Sequence, residues 1–246
     1  MKTILGYILS TLYYIYFGLA LLFFHPIQVI AHLIFGDHAR RKVVDVLNFF
    51  LVYGLLILGC RIRFKGFEKI PDNRTIVIMS NHQSMFDIAP IVFGFRKCYP
   101  KFISKESLAK NLPSISYNLR HGKSALIDRS KGSAAVKEIF KLGLLIEKTK
   151  TAACIFPEGT RSKTGQVKEF KIAGVNALLR AAPSAVIVPF VVDGHSKLLS
   201  KGVYPLQVGV RVSYTVLDPV EPGDRPVEEI VGQIEHSIKR SLNQVN

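Results

Sequence analysis

His82 and Asp87 stand five residues apart in the stretch Asn81-His82-Gln83-Ser84-Met85-Phe86-Asp87. A histidine next to a carboxylate is the pairing that acid–base chemistry needs. A carboxylate bonded to one ring nitrogen fixes the tautomer and leaves the other nitrogen free to take a proton. The spacing suits neither regular structure: on a helix the two side chains would sit roughly 140° apart, and on a strand they would face opposite ways. If they pair, His82 lies on a turn and Asp87 near the start of the next helix. Asn81 or Ser84 could equally serve only as a helix cap. The stretch follows Thr75-Ile76-Val77-Ile78-Met79-Ser80, whose composition is that of a buried strand. The polar end of such a strand is where open α/β sheets place chemistry.

A second polar turn, Phe156-Pro157-Glu158-Gly159-Thr160-Arg161-Ser162, follows another apolar strand candidate, residues 152–155. Gly159 permits close backbone approach, and Arg161 offers a planar fork for phosphate oxygens, unless it is spent on an ion pair with Glu158. There is no Gly-x-Ser-x-Gly elbow to mark a serine nucleophile, and Ser84 reads as a short side chain in a turn. Attack by a substrate hydroxyl, with His82 as base, is therefore preferred to a covalent intermediate on the protein.

Taken together, His82-x4-Asp87 and the Phe156–Ser162 stretch resemble the glycerolipid acyltransferase family of bacterial 1-acylglycerol-3-phosphate O-acyltransferases. Two weaker blocks match in order, Leu126-Ile127-Asp128-Arg129 and Ile187-Val188-Pro189-Phe190, and the resemblance runs from about Arg61 to about Leu217. It implies catalysis by His82 and Asp87. It also implies that Glu158, Gly159, Thr160 and Arg161 meet the phosphate of the acyl acceptor, with Lys105, Arg129 and Lys171 as further contacts. The Phe170-Lys171 pair matches the family, although Ala173 stands where a glycine is common. Lys105 and Lys171 could also be ordinary solvated lysines, and Arg129 could pair with Asp128. Pro189 would shape a pocket wall, and Met85 and Phe86 would pack on the acyl path or the membrane. His25, His32, His121, His195 and His236 match no motif and read as incidental.

The implied reaction moves a fatty acyl group from acyl-ACP or acyl-CoA to the sn-2 hydroxyl of 1-acylglycerol 3-phosphate (lysophosphatidic acid), giving phosphatidic acid. No metal or cofactor is required. Another lysophospholipid or a lyso-ornithine lipid is an alternative acceptor, and a membrane-bound lipid hydrolase is the rival from another class. With 33 basic against 18 acidic residues the net charge is +15, which suits anionic lipid or an acidic carrier. No nucleic-acid motif accompanies that charge, so nucleic acid is not an expected partner.

These turns must be held by a scaffold. Strand-like runs at 61–67, 75–80, 101–104, 124–128, 152–156, 185–192 and 208–217 alternate with helical patterns at 87–94, 133–148, 173–182 and 228–242. That order predicts an α/β fold, a mixed sheet flanked by helices. Val136, Ile139, Phe140, Gly143 and Leu144 are the expected inner face of the 133–148 helix. The N-terminal segment differs. Residues 3–36 contain no Lys, Arg, Asp or Glu, and 4–24 is long enough to span a bilayer; it exceeds the apolar core of an ordinary signal peptide. Pro26 should kink or end that helix. A second run, 46–60, is short for spanning, and basic clusters flank it on both sides (Arg40-Arg41-Lys42; Arg61, Arg63, Lys65), so spanning would break the positive-inside pattern. Either the first run spans once, or both form a hairpin in one leaflet. The expected division is a membrane anchor over 1–60 and a catalytic domain over 61–246, at the cell membrane with the catalytic domain on the cytoplasmic face. Cys60, Cys98 and Cys154 read as reduced core residues.

Overall fold

The structure, a computed structural model, describes residues 2–128 and 131–245; of residues 2 and 3 it describes the backbone. The expected α/β architecture is what forms. A seven-stranded sheet runs in the order β1 (Arg61–Lys65), β7 (Arg211–Val216), β6 (Val186–Asp193), β2 (Ile76–Ser80), β5 (Ala152–Ile155), β3 (Lys101–Lys105) and β4 (Ala125–Ile127). From β6 to β4 all neighbours are parallel, while β7 is antiparallel to β6 and β1 is parallel to β7. The central strands are apolar up to their polar C-terminal residues, Ser80 of β2 and Asp193 of β6, because both their faces are covered; every residue of β2 and β5 is buried. Edge strand β1 instead exposes Arg61, Arg63 and Lys65, charges that discourage pairing with another chain.

Strand alternation divides the interior into two layers. One face of the sheet carries Ile76, Ile78, Cys154, Val188, Phe190 and Tyr214 against helices α1 (Lys2–Tyr53) and α2 (Ile88–Gly94). The other carries Val77, Met79, Ala153, Ile155 and Ile187 against α4 (Gly132–Thr149), α5 (Ile172–Ala181) and α7 (Val227–Ser241). Helix α3 (Ile115–His121) lies beside α1. The inner face of α4 differs from expectation. Ala135, Ile139, Leu142, Gly143 and Ile146 are buried, while Val136, Phe140 and Leu144 are exposed. Gly143 faces α5 so closely that a Cβ there would meet Ala181 Cβ at 2.6 Å. That contact requires the small residue inside and turns the larger apolar ones outward.

The N-terminal segment is a helical hairpin. Helix α1 does not end at Pro26, one of the two outcomes expected there, and breaks at Gly36, where φ is 79°. A proline inside a helix forfeits one hydrogen bond, whereas positive φ departs from helical geometry altogether. The two arms pack antiparallel. Tyr16 Oη donates to Phe50 O at 3.0 Å, and Leu21 meets Leu47 and Leu51. The helix is long and apolar enough to cross a membrane. Much of its outer surface is apolar and uncovered, with Leu33 77% and Phe35 73% exposed. Its inner side, including Tyr13, Val44 and Val52, shares a core with the sheet, as does Leu55 in the 3-10 turn that follows.

Candidate active site

Both polar turns lie at one edge of the sheet, at the C-terminal ends of β2 and β5, which are adjacent and parallel. The first turn is fixed at each residue. Asn81 exchanges two hydrogen bonds of 2.8 Å with the backbone of Val192 on β6, through its amide nitrogen and oxygen. Gln83 Oε1 accepts the backbone N–H of Ser196 at 3.0 Å. Ser84 Oγ caps the short 3-10 turn Met85–Asp87 by accepting from Phe86 N. Asp87 then leads directly into α2.

His82 and Asp87 do pair: His82 Nδ1 lies 2.8 Å from Asp87 Oδ2. The same oxygen accepts the backbone N–H groups of Gln83 at 2.6 Å and Ser84 at 2.9 Å. The cap and the base–carboxylate pair are therefore one set of bonds. Asp87 is fully buried. Burial would raise its pKa, but hydrogen bonds from His195 and His82 outweigh it and hold the carboxyl well below the usual range. An ionised Asp87 can only accept, so His82 carries its proton on Nδ1 and presents Nε2 as a base. The His82 ring stacks on Phe156, centroids 4.0 Å apart and planes at 18°.

The second turn grips the first by its backbone. Glu158 Oε1 accepts the His82 N–H at 2.7 Å, and Ser162 N–H donates to His82 O at 2.7 Å. The other Glu158 oxygen takes the Lys168 N–H at 3.1 Å. Both oxygens of this buried carboxylate are thus committed to the protein, and burial raises its pKa. Arg161 is exposed, and no ion pair forms between it and Glu158 among the described residues. Lys168 Nζ fastens the turn by donating to Thr160 Oγ1 and Arg161 O, each at 2.9 Å. Lys171, also exposed, bends over the turn, so that a Cβ on Gly159 would lie 3.5 Å from its Nζ. Gly159 itself has φ 72°. Lys105 is exposed at the end of β3, on the same sheet edge. Arg129 lies outside the described residues. Phe86 packs on Tyr13 and Phe17 of α1, ring centroids 5.7 and 6.0 Å away. Met85 is 48% exposed.

The structure adds a residue that reads as incidental in the sequence. His195 is fully buried at the start of α6 (His195–Leu198), just beyond β6. Its Nδ1 lies 2.6 Å from Asp87 Oδ1, and its Nε2 lies 2.9 Å from Tyr214 Oη on β7. A signal for it exists: Asp193-Gly194-His195 is a third polar turn ending an apolar strand.

Comparison with known proteins gives a consistent picture. Residues 61–193 match the family model Acyltransferase. The 1-acyl-sn-glycerol-3-phosphate acyltransferase of Pseudomonas aeruginosa is 31% identical over 188 residues, covering 75% of this chain and 70% of that protein. The protein of the same name from Cocos nucifera is 31% identical over 180 residues, covering 73% of this chain and 56% of its own length. Among solved structures, the 1-acyl-sn-glycerophosphate (LPA) acyltransferase PlsC of Thermotoga maritima superposes with a TM-score of 0.79. The two are 23% identical, and the match covers 99% of this chain and 97% of that one, so the fold is shared over its whole extent.

Proposed function

The chain belongs to the acyltransferase family, and on that premise we propose that it transfers a fatty acyl group from a thioester to the sn-2 hydroxyl of 1-acylglycerol 3-phosphate. The observation that carries this reading is the His82–Asp87 pair at 2.8 Å, with no hydrogen bond on Nε2 among the described residues, beside an exposed arginine on the turn that clamps it. In this mechanism His82 Nε2 removes the hydroxyl proton as the oxygen attacks the thioester carbonyl carbon. The C–S bond then breaks, the ester remains, and the thiolate takes the proton back from the imidazolium. Asp87 keeps the ring in register and steadies its positive charge, and the Phe156 face adds a cation–π contribution. Arg161 receives the acceptor phosphate, with Lys171 and Lys105 adding charge from the same edge. Glu158 serves the site through the backbone of His82 rather than by touching phosphate. Gly159 and Thr160 shape the turn.

The donor thioester is carried by acyl carrier protein or coenzyme A; the net charge of +15 favours either acidic carrier. Residues 1–60 embed in one leaflet as a hairpin, and the catalytic domain, 61–246, faces the cytoplasm. Supporting this are the uncovered apolar side of α1 and the basic clusters at both ends of its second arm. The test is an assay of purified protein with both thioester carriers and a panel of acceptors. Phosphatidic acid formed from 1-acylglycerol 3-phosphate is the expected product. Free fatty acid as sole product would make it a hydrolase, and preference for another lysolipid would replace the acceptor.

A further inference from the structure

Asp87 is held by two histidines. His82 approaches Oδ2 and His195 approaches Oδ1, at 2.8 and 2.6 Å. Ser84 Oγ donates to Oδ1 as well, at 3.1 Å. With two backbone N–H groups on Oδ2, the carboxylate accepts five hydrogen bonds. An ionised carboxylate cannot donate, so His195 must carry its proton on Nδ1. In the neutral ring Nε2 is then an acceptor, and the Tyr214 hydroxyl donates to it, 2.9 Å away. Burial keeps that phenol protonated, raising its pKa well above the ordinary value. The result is a continuous row: Tyr214 donates to His195, His195 donates to Asp87, and His82 donates to Asp87 from the other side.

We propose that His195 is a positioning residue for the acyl transfer: by sharing the Asp87 carboxylate with His82, it aims that carboxylate and moderates the basicity of His82 Nε2. This rests on the reading of His82 as the base. A carboxylate bonded to His82 alone would spend its full charge on one imidazole and hold the imidazolium too tightly to return its proton to the leaving thiolate. Each further donor on the carboxylate draws charge away from its contact with His82 and so weakens its hold on the imidazolium proton. Asp87 sets the tautomer of both histidines, and Tyr214 complements that of His195 by donating to its Nε2. The other titratable groups around the row are Tyr13 from α1, Cys60 before β1, Cys154 on β5 and Glu158 on the second turn. Burial pushes the Cys154 thiol upward, so it stays neutral, and Glu158 is already bonded to two backbone N–H groups. None of them donates a hydrogen bond to Asp87 among the described residues.

The experiment is a titration of the His82 imidazole by 15N NMR in the full-length protein, with kcat measured against pH in parallel. In wild type, His195 should read as a neutral Nδ1–H tautomer across the range in which His82 titrates. H195F fills the space and removes both ring nitrogens. It should move the His82 titration, and the ascending limb of kcat, upward by on the order of one pH unit. H195N puts an amide N–H where Nδ1 stood and should restore most of the shift. A residue that merely fills space would lower stability without moving either titration. The inference is overturned if wild-type His195 lacks the Nδ1 proton, a reading that needs no variant to fold. It is also overturned if folded H195F leaves the His82 titration where it was. Since that titration needs no substrate, an enzyme inactive on every acceptor would sink the functional reading and leave this test intact.

Discussion

Glu158 Oε1 accepts the backbone N–H of His82 at 2.7 Å, joining two turns 76 residues apart in the chain. With Ser162 N–H on His82 O, the base is held at both sides of its backbone by the turn that also presents Arg161. The motif therefore has two functions that its sequence does not separate. Its carboxylate fixes the base from below, and its arginine stays open to solvent. Glu158→Gln should separate them. An amide offers one acceptor oxygen to two inward N–H groups, leaving one donor facing an NH2 group. We expect a stability loss of about 1–3 kcal/mol, a lowered kcat and a nearly unchanged acceptor KM; a variant that changes only KM would place Glu158 on the substrate.

His82→Ala should lower turnover by about 10²–10⁴-fold, the usual range for removing a general base. Asp87→Asn should be comparably severe, because an amide can select the wrong tautomer of His82 and of His195 at once. Steady-state kinetics on folded protein checks both, and near-normal turnover in His82→Ala would end the mechanism.

The Asp87 carboxyl also predicts an acid limb of stability. Burial opposes ionisation, but hydrogen bonds and charge from His195 and His82 depress its folded-state pKa below the unfolded value of about 4. A depressed carboxyl contributes stability that is fully present above the unfolded pKa and is lost as pH falls from there toward the folded value. Glu158 has the opposite sign: burial raises its pKa, so its contribution is lost as pH rises through the folded value. Denaturant melts at several pH values should show wild type exceeding Asp87→Asn by a constant margin above about pH 5, shrinking below about pH 4. A margin that grows on acidification would contradict the bonding described for Asp87.

Arg161→Ala should lower kcat/KM for the phosphorylated acceptor by roughly 10–150-fold, from about 1.5–3 kcal/mol for a hydrogen bond to a charged group. Arg161→Lys should fall between, since it keeps charge but loses the bidentate fork. Comparing 1-acylglycerol 3-phosphate with plain monoacylglycerol isolates the contact, and the alanine variant should narrow the preference. Equal losses on both acceptors would make Arg161 structural and move the phosphate to Lys171 or Lys105.

Removing residues 1–60 would strip Val44, Val52, Leu55 and Leu58 from the core they share with the sheet, so truncation confuses membrane binding with folding. Charges on the outer face avoid this. Leu33→Glu with Phe35→Glu changes two side chains that are 77% and 73% exposed. Each loses about 1.5–3 kcal/mol of apolar transfer if it sits in lipid. Vesicle sedimentation should show much weaker binding at an unchanged melting temperature, and unaltered sedimentation would mean that this side of the hairpin does not meet lipid.

Much of the site is legible in the sequence because its signals are local. A buried strand reads as an unbroken apolar run, and a polar turn after it marks the sheet edge where chemistry sits. His82, Asp87 and the 156–162 turn are all found in that way, as is the α/β alternation. The apolar N-terminal run likewise fixes a helix that must cover its sides with protein or lipid. Tertiary structure decided what each turn meets. His195 lies 108 residues beyond Asp87 and reaches it because β6 pairs with β2; Tyr214 reaches His195 because β7 returns antiparallel beside β6. The inward face of α4 was settled by the surface packed against it. Periodicity records which residues avoid water, but strand order and helix docking choose the partners that replace it. A buried carboxylate acquires its second histidine only when the sheet closes around it.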